Sequence, residues 1–298
     1  MEKKIAVILN TESGSEQTSA KIKKIQEAFS KENIYPKIFL NEVGGDIEEK
    51  ASQASVEGYN IIAAYGGDGT VSAVASGILG KMSTLGVIPG GTFNHFAKDL
   101  NIPLDIDKAV AVILHGHEIF IDIGKVNNKF FINNSSIGVY QKLVRHRESL
   151  EDIGWTKLGA SVVALAKTAW LYPSLNIKIK SKEKEIVVRT PLVFIGNNEY
   201  LLEGVNVGRR KSLTDKKLSV HIADFTKRLD FIPLFFGAIT ENIKNFDGLH
   251  IYYTEKVIIE SEKSYLNVAL DGEVRPIQTP LVYEILPSAL KVLVPQSE

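Results

Sequence analysis

Apolar positions in the first third of the chain alternate between unbroken runs and helical spacing. Lys4 to Leu9, Ile61 to Tyr65 and Leu85 to Ile88 are near-continuous apolar stretches, as in strands covered on both faces, and Ile38 to Leu40 is a shorter one. Between them, Lys21 to Phe29 places Ile22, Ile25, Ala28 and Phe29 on one helical face. Asp46 to Val56 reads as a helix with Asp46 near its start, and Val71 to Leu79 as a helix of small residues. This alternation predicts an α/β domain built on a mostly parallel sheet.

After about Asp122 the rhythm changes to strand-like segments separated by Asn, Gly and Lys clusters: Lys129 to Val139, Leu175 to Lys180, Glu185 to Asn197, Leu218 to Ala223, Lys256 to Glu260 and Tyr265 to Leu270. A second, β-rich antiparallel domain is expected, with Ile153 to Trp170 as its main helical interruption. Periodicity leaves open which domain the last segments, Leu281 to Leu286 and Lys291 to Val294, complete.

Charge and composition narrow the function. The 298 residues carry 35 Lys plus Arg against 35 Asp plus Glu, which gives no electrostatic footprint for nucleic acid. With no cysteine there is no disulfide framework, thiolate zinc site or cysteine nucleophile, and a cytoplasmic chain is expected. The apolar run after Met1-Glu2-Lys3-Lys4 ends at Asn10, short of the ~7 to 15 residues of a secretion signal. Phe231 to Ile239, and Leu158 to Tyr172 with Lys167 inside it, fall short of the ~18 residues of a membrane span, so any membrane contact is expected to be peripheral. The short basic runs Arg145-His146-Arg147 and Arg209-Arg210-Lys211 would either meet anionic head groups or form a solvated face.

Two loops carry candidate chemistry. Gly66-Gly67-Asp68-Gly69-Thr70 lies between a buried strand and a helix, where loop amides and the positive helix end suit phosphate oxygens. Thr70 suits a helix N-cap, and Asp68 could orient a metal or water. The alternative is a tight turn with a capping threonine and no ligand. One strand later Pro89-Gly90-Gly91-Thr92-Phe93-Asn94 repeats the design before a short helix, Phe96 to Leu100. In an open parallel sheet such loops share one crevice, so the pair reads as a nucleotide triphosphate site in which a side chain at Gly67 or Gly91 would harm binding more than folding. The chain has neither a P-loop nor a Gly-x-Gly-x-x-Gly motif.

Gly66-Gly67-Asp68-Gly69-Thr70, Gly91-Thr92-Phe93-Asn94, Phe131 to Gly138 and Asp271-Gly272-Glu273, in this order, resemble the diacylglycerol kinase catalytic-domain family, specifically its soluble bacterial lipid-kinase branch. That branch is related to sphingosine kinases and more distantly to NAD kinases. The resemblance implies an ATP-binding α/β domain, residues 1–124 with a C-terminal strand returning in 281–298. It also implies a sandwich-like lipid-substrate domain over 125–280. It further implies ATP and Mg²⁺, transfer of the γ-phosphoryl group to a lipid hydroxyl such as that of diacylglycerol, and catalytic roles for Glu273, as the base, and Asp68. Nucleotide contacts fall on Asn10, Ser13, Gly14, Asn41, Gly66, Gly67, Asp68, Gly69, Thr70, Gly91, Thr92 and Asn94. The expected partners are a lipid at a membrane surface, no nucleic acid and at most a second copy of the chain as a homodimer.

The chain departs from the family pattern in three places. Asn94-His95 stands for Asn-Asp, and Asn41 for a threonine. The metal-binding turn, usually Asp-Asp-Gly-x-Leu-Asp, is Thr214-Asp215-Lys216-Lys217-Leu218-Ser219, which leaves Asp215 as its one carboxylate for Mg²⁺. Read without the resemblance, Val268 to Val274 is a β-hairpin turned by Asp271-Gly272. The rival functions are an NAD kinase or other small-molecule kinase, and a non-catalytic nucleotide- or lipid-binding protein.

Overall fold

The computed structural model describes residues 3–10, 16–41, 45–138, 174–201, 209–223 and 249–296. Contacts divide the chain into two compact units, Met1–Ile123 with Pro287–Glu298, and Gly124–Leu286.

In the first unit, strands β1 (Ile5–Asn10), β2 (Lys37–Asn41), β3 (Ile61–Gly66) and β4 (Thr84–Pro89) form a parallel sheet in the order β2-β1-β3-β4. Ile5 to Leu9, Ile61 to Tyr65 and Leu85 to Ile88 are buried, as unbroken apolar runs require when both faces of a sheet are covered. The covers are helices α1 (Glu16–Ser30), α2 (Ile47–Val56), α3 (Asp68–Ile78) and α5 (Ile106–His115), with the short α4 (His95–Asp99) between the last two. Packing of α1 with α5 and of α2 with α3 gives the two layers that right-handed crossovers dictate for this strand order. Asp46 caps α2 by accepting from the Glu49 amide at 3.0 Å, as its position before the apolar face foretells.

The second unit is antiparallel. Its first sheet contains β8 (Leu175–Ser181), β9 (Glu185–Thr190), β13 (Lys256–Ser261) and the start of β16 (Leu281–Val294). Its second runs β12-β11-β10-β7-β14-β15, built from β7 (Asn134–Gly138), β10 (Leu192–Asn197), β11 (Leu218–Ala223), β12 (Leu249–Thr254), β14 (Tyr265–Leu270) and β15 (Glu273–Gln278). Ile179, Val257, Ile259 and Tyr283 of the first sheet and Ile137, Ile195, Val220 and Val268 of the second share one core, so the unit is a sandwich. A hairpin of β5 (His117–Val126) and β6 (Lys129–Phe131) joins the first sheet. The far end of β16 returns to the parallel sheet, with Val292 beside Leu85 of β4, and the Ser288 amide is fixed there by Asp122 at 2.9 Å.

Several elements differ from the sequence expectation. Helix α3 starts at Asp68, with Gly67 as its N-cap, so Thr70 is not the cap but a buried residue of the first turn. The Lys129 to Val139 segment is broken into β6 and β7 at Ile132-Asn133. Glu185 to Asn197 splits at Pro191, which has no amide for a ladder. The two C-terminal segments form one strand, and β12 is an additional strand beyond those the sequence pattern predicts. The expected Ile153 to Trp170 helix, Phe231 to Ile239 and Arg145-His146-Arg147 lie outside the described residues. Among the described residues no helix is long and apolar enough to cross a membrane.

Candidate active site

The sheet order β2-β1-β3-β4 reverses direction between β1 and β3, and ligands of open α/β sheets bind at the carboxyl ends of such a pair. Asn41, Asn10, Gly66 and Pro89 end the four strands, with Asn10 in register with Asn41 and Gly66 with Pro89. The buried Asn41 amide donates to the Asn10 side-chain oxygen at 3.2 Å and to the Gly45 carbonyl at 3.3 Å, fixing the polar rim beside the switch point. Ser13 and Gly14, expected next to Asn10, lie outside the described residues.

The two glycine loops touch. The Gly90 amide donates to the Gly66 carbonyl at 2.8 Å. A Cβ on Gly91 would stand 2.4 Å from the Gly67 Cα, and one on Gly66 would stand 2.5 Å from the Thr70 hydroxyl. Internal packing therefore requires glycine at 66 and 91, which corrects the expectation that a side chain at Gly91 would harm binding more than folding. Gly67 is different. Its φ of −84° suits any residue, and among the described residues a Cβ there would meet only the Gly91 Cα, at 3.4 Å. A glycine at that point puts no side chain of its own over the leading α3 amides, which suits the approach of a phosphate.

Two side chains brace this arrangement. Asp68 accepts from the amides of His95 at 3.1 Å and Phe96 at 3.0 Å, so it caps α4 from the neighbouring loop. Asn94, buried at φ 50°, closes its own loop by accepting from the Gly91 amide at 3.0 Å and donating to the Gly91 carbonyl at 2.7 Å. Thr92 is exposed beside it, and the Phe93 ring stacks on the His95 imidazole at 5.6 Å.

In the second unit, Asp271 (φ 48°) and Gly272 (φ 93°) make the tight turn between β14 and β15, where Leu270 pairs with Glu273. The Asp271 carboxylate accepts from the amides of Ile132 and Asn133 at 2.8 Å and Asn134 at 3.1 Å. These bonds break the Lys129 to Val139 run. On the carbonyl side the same bend is held by Asn197 at 2.8 Å and by the Arg210 guanidinium, both on Ile132, and by the Tyr200 hydroxyl at 3.0 Å on Asn133. Arg210 is 7% exposed, so it belongs to this scaffold and does not meet a head group. Glu273 is exposed on β15, 2.9 Å from Arg275.

Structural Mg²⁺ at the 214–219 turn does not fit the residues present. Asp215 is its single carboxylate, the nearby Glu199 carboxylate is paired with Lys217 at 3.2 Å, and no group of three or more His, Cys, Asp or Glu converges among the described residues.

Residues 4–126 match the model of the diacylglycerol kinase catalytic domain, and residues 146–294 that of the YegS C-terminal NAD kinase beta sandwich-like domain. A diacylglycerol kinase of Staphylococcus aureus (strain bovine RF122 / ET3-1) is 39% identical over 140 residues, which span 46% of this chain and 44% of that protein. One from Staphylococcus carnosus (strain TM300) is 36% identical over 46% of each chain. The matches thus reach less than half the length of these relatives. The crystal structure of a diacylglycerol kinase from Bacillus anthracis str. Sterne shares the fold at a TM-score of 0.71 and 22% identity, covering 98% of this chain and 97% of that one. With its glycine loops, its hairpin and both family models in sequence order, the chain belongs to the diacylglycerol kinase catalytic-domain family.

Proposed function

We propose that this chain is an ATP-dependent lipid kinase that transfers the γ-phosphoryl group to a lipid hydroxyl such as that of diacylglycerol. The observation that carries this reading is the pair of touching glycine loops after β3 and β4, beside the β1/β3 switch point, where α3 opens with Gly67 and no side chain caps it. The family and the names of its Staphylococcus relatives support the acceptor class.

In this reading the backbone of Gly66 to Thr70, with Thr92 beside it, holds the phosphates, and Asn10 and Asn41 form the adjoining polar rim. ATP brings Mg²⁺ with it, which neutralises charge on the phosphates. The lipid oxygen bonds to the γ-phosphorus, Glu273 accepts its proton, and the bond to the bridging oxygen breaks to release ADP. Asp68 and Asn94 keep the loops in place, a different task from the metal or nucleotide contacts expected of them. The chain reaches its acceptor by peripheral contact with a membrane surface.

The test is mass spectrometry of a total lipid extract before and after incubation with the protein and MgATP, with NAD⁺ offered in a parallel reaction. A new phosphorylated lipid is expected. Phosphorylation of NAD⁺ alone would make the chain a small-molecule kinase. Nucleotide binding without turnover on any acceptor would make it a binding protein.

A further inference from the structure

The 214–219 turn lacks the carboxylates of the family pattern, yet it is not loosely held. The Lys217 carbonyl accepts from the Asn198 amide at 3.1 Å, and the Asn198 carbonyl accepts from the Ser219 hydroxyl at 2.8 Å. The turn is therefore tied to the 197–201 segment through its backbone. Its side chains converge on the same place. The Lys217 ammonium donates to Glu199 at 3.2 Å and lies 4.6 Å from the centre of the Tyr253 ring, while Lys211 approaches the other oxygen of Glu199 at 3.9 Å. Burial and the charges of Glu199 and Asp215 raise the pKa of the Tyr253 phenol, and the Glu199 carboxylate and the face of the Tyr253 ring flank this ammonium. A compact positive charge held against a carboxylate and an aromatic face does locally what a bound cation would otherwise do.

We propose that the Lys217 ammonium is the built-in cation of this turn, holding Glu199, Tyr253 and the Asp215 turn together where the family pattern supplies carboxylates for a divalent ion. The second unit then needs no bound metal at this point. Burial works against the charge of Glu199, but the hydrogen bond and charge of Lys217 prevail and hold its carboxyl below the ordinary range. Lys217 and Glu199 retain 33% and 23% side-chain exposure, so the stabilisation is modest, as for a partly solvated ion pair with one aromatic neighbour. The inference does not depend on the lipid-kinase reading and concerns a cation separate from the one that accompanies ATP.

Thermal unfolding of the full chain without nucleotide tests it, in EDTA and in millimolar Mg²⁺. Wild type should melt at the same temperature in both. Lys217→Met should melt about 2–4 °C lower in both, with Lys217→Arg close to wild type. Lys217→Asp, which places a carboxylate beside Asp215 and Glu199, should fall further in EDTA and recover part of the loss in Mg²⁺. A wild-type protein that loses stability in EDTA and regains it with Mg²⁺ would overturn the proposal, whether or not the variants fold. So would a Lys217→Met protein that melts like wild type.

Discussion

In the first unit, two loops of nearly the same composition start two helices in opposite ways. At α4 the leading amides of His95 and Phe96 are taken by the Asp68 carboxylate, and Asn94 closes the loop on itself. At α3 the cap is Gly67, which has no side chain to bond the leading amides. The second unit repeats the contrast within one hairpin. Asp271 has both oxygens on backbone amides of a neighbouring segment, whereas Glu273, two residues on, is exposed on the strand. In each region the aspartate that looks most like chemistry is architecture, and the group open to a ligand is its neighbour.

The largest effect should separate Glu273 from Asp271. Glu273→Gln should lower turnover by about 10²- to 10⁴-fold, the loss typical of a general base, with the melting temperature unchanged. A variant that turns over like wild type would return Glu273 to a hairpin role and erase the contrast in the second unit.

Acid should tell the two units apart. His221 on β11 is buried, stacks edge-on against Phe194, and burial pushes its pKa down from 6.5 to about 4. The native ring stays neutral while the unfolded chain takes up a proton below its ordinary pKa. The resulting stability is complete above pH 6.5 and is lost as the pH falls towards 4, at most about 3 kcal/mol. Hydrogen exchange should show the strands of the second unit losing protection first between pH 7 and 5, and His221→Phe should flatten that dependence. Equal loss in both units would discount the buried histidine.

Removing either aspartate should cost stability. Asp68→Ala frees two amides and Asp271→Ala three, so unfolding in urea should show losses of about 1–3 kcal/mol, larger for Asp271. Asp68→Ala with unchanged stability would mean that α4 does not need its cap.

The smallest change is the sharpest test of the paired loops. Gly67→Ala should leave the melting temperature within about a degree while weakening ATP several-fold by calorimetry, because its Cβ makes only an ordinary contact with the Gly91 Cα yet stands at the start of α3. Gly91→Ala should lower the melting temperature instead, since its Cβ runs into the Gly67 backbone. The reverse pattern would place the phosphate at the other loop.

Much of this was legible in the chain. The buried strands, the helices between them, both glycine loops and the Asp-Gly hairpin follow from local pattern and turn chemistry, and the structure places them there. What local reading missed depends on distant partners. Arg210 reads as one member of a basic run, but Ile132 and Asn133, some 78 residues earlier, take its guanidinium and bury it. The break after Phe131 is set by Asp271, 139 residues later. Lys217 looks like erosion of a metal turn until Glu199 and Tyr253 are placed around it. Thr70 differs from the expected cap because α3 opens at Gly67, whose missing side chain gives no capping signal in the sequence.

The returning end of β16 has a consequence for how the chain acquires its shape. Strand β4 gains its second neighbour from Val292, more than 200 residues after Leu85, so the parallel sheet stays one strand short until that segment has emerged from the ribosome. Until then β4 offers a bare row of hydrogen-bonding groups to any passing strand. Pairings this remote slow the search for the native state and prolong that exposure. Breaking the Val292–Leu85 pairing should therefore show itself as clumping of newly made protein, before any change in turnover could be measured.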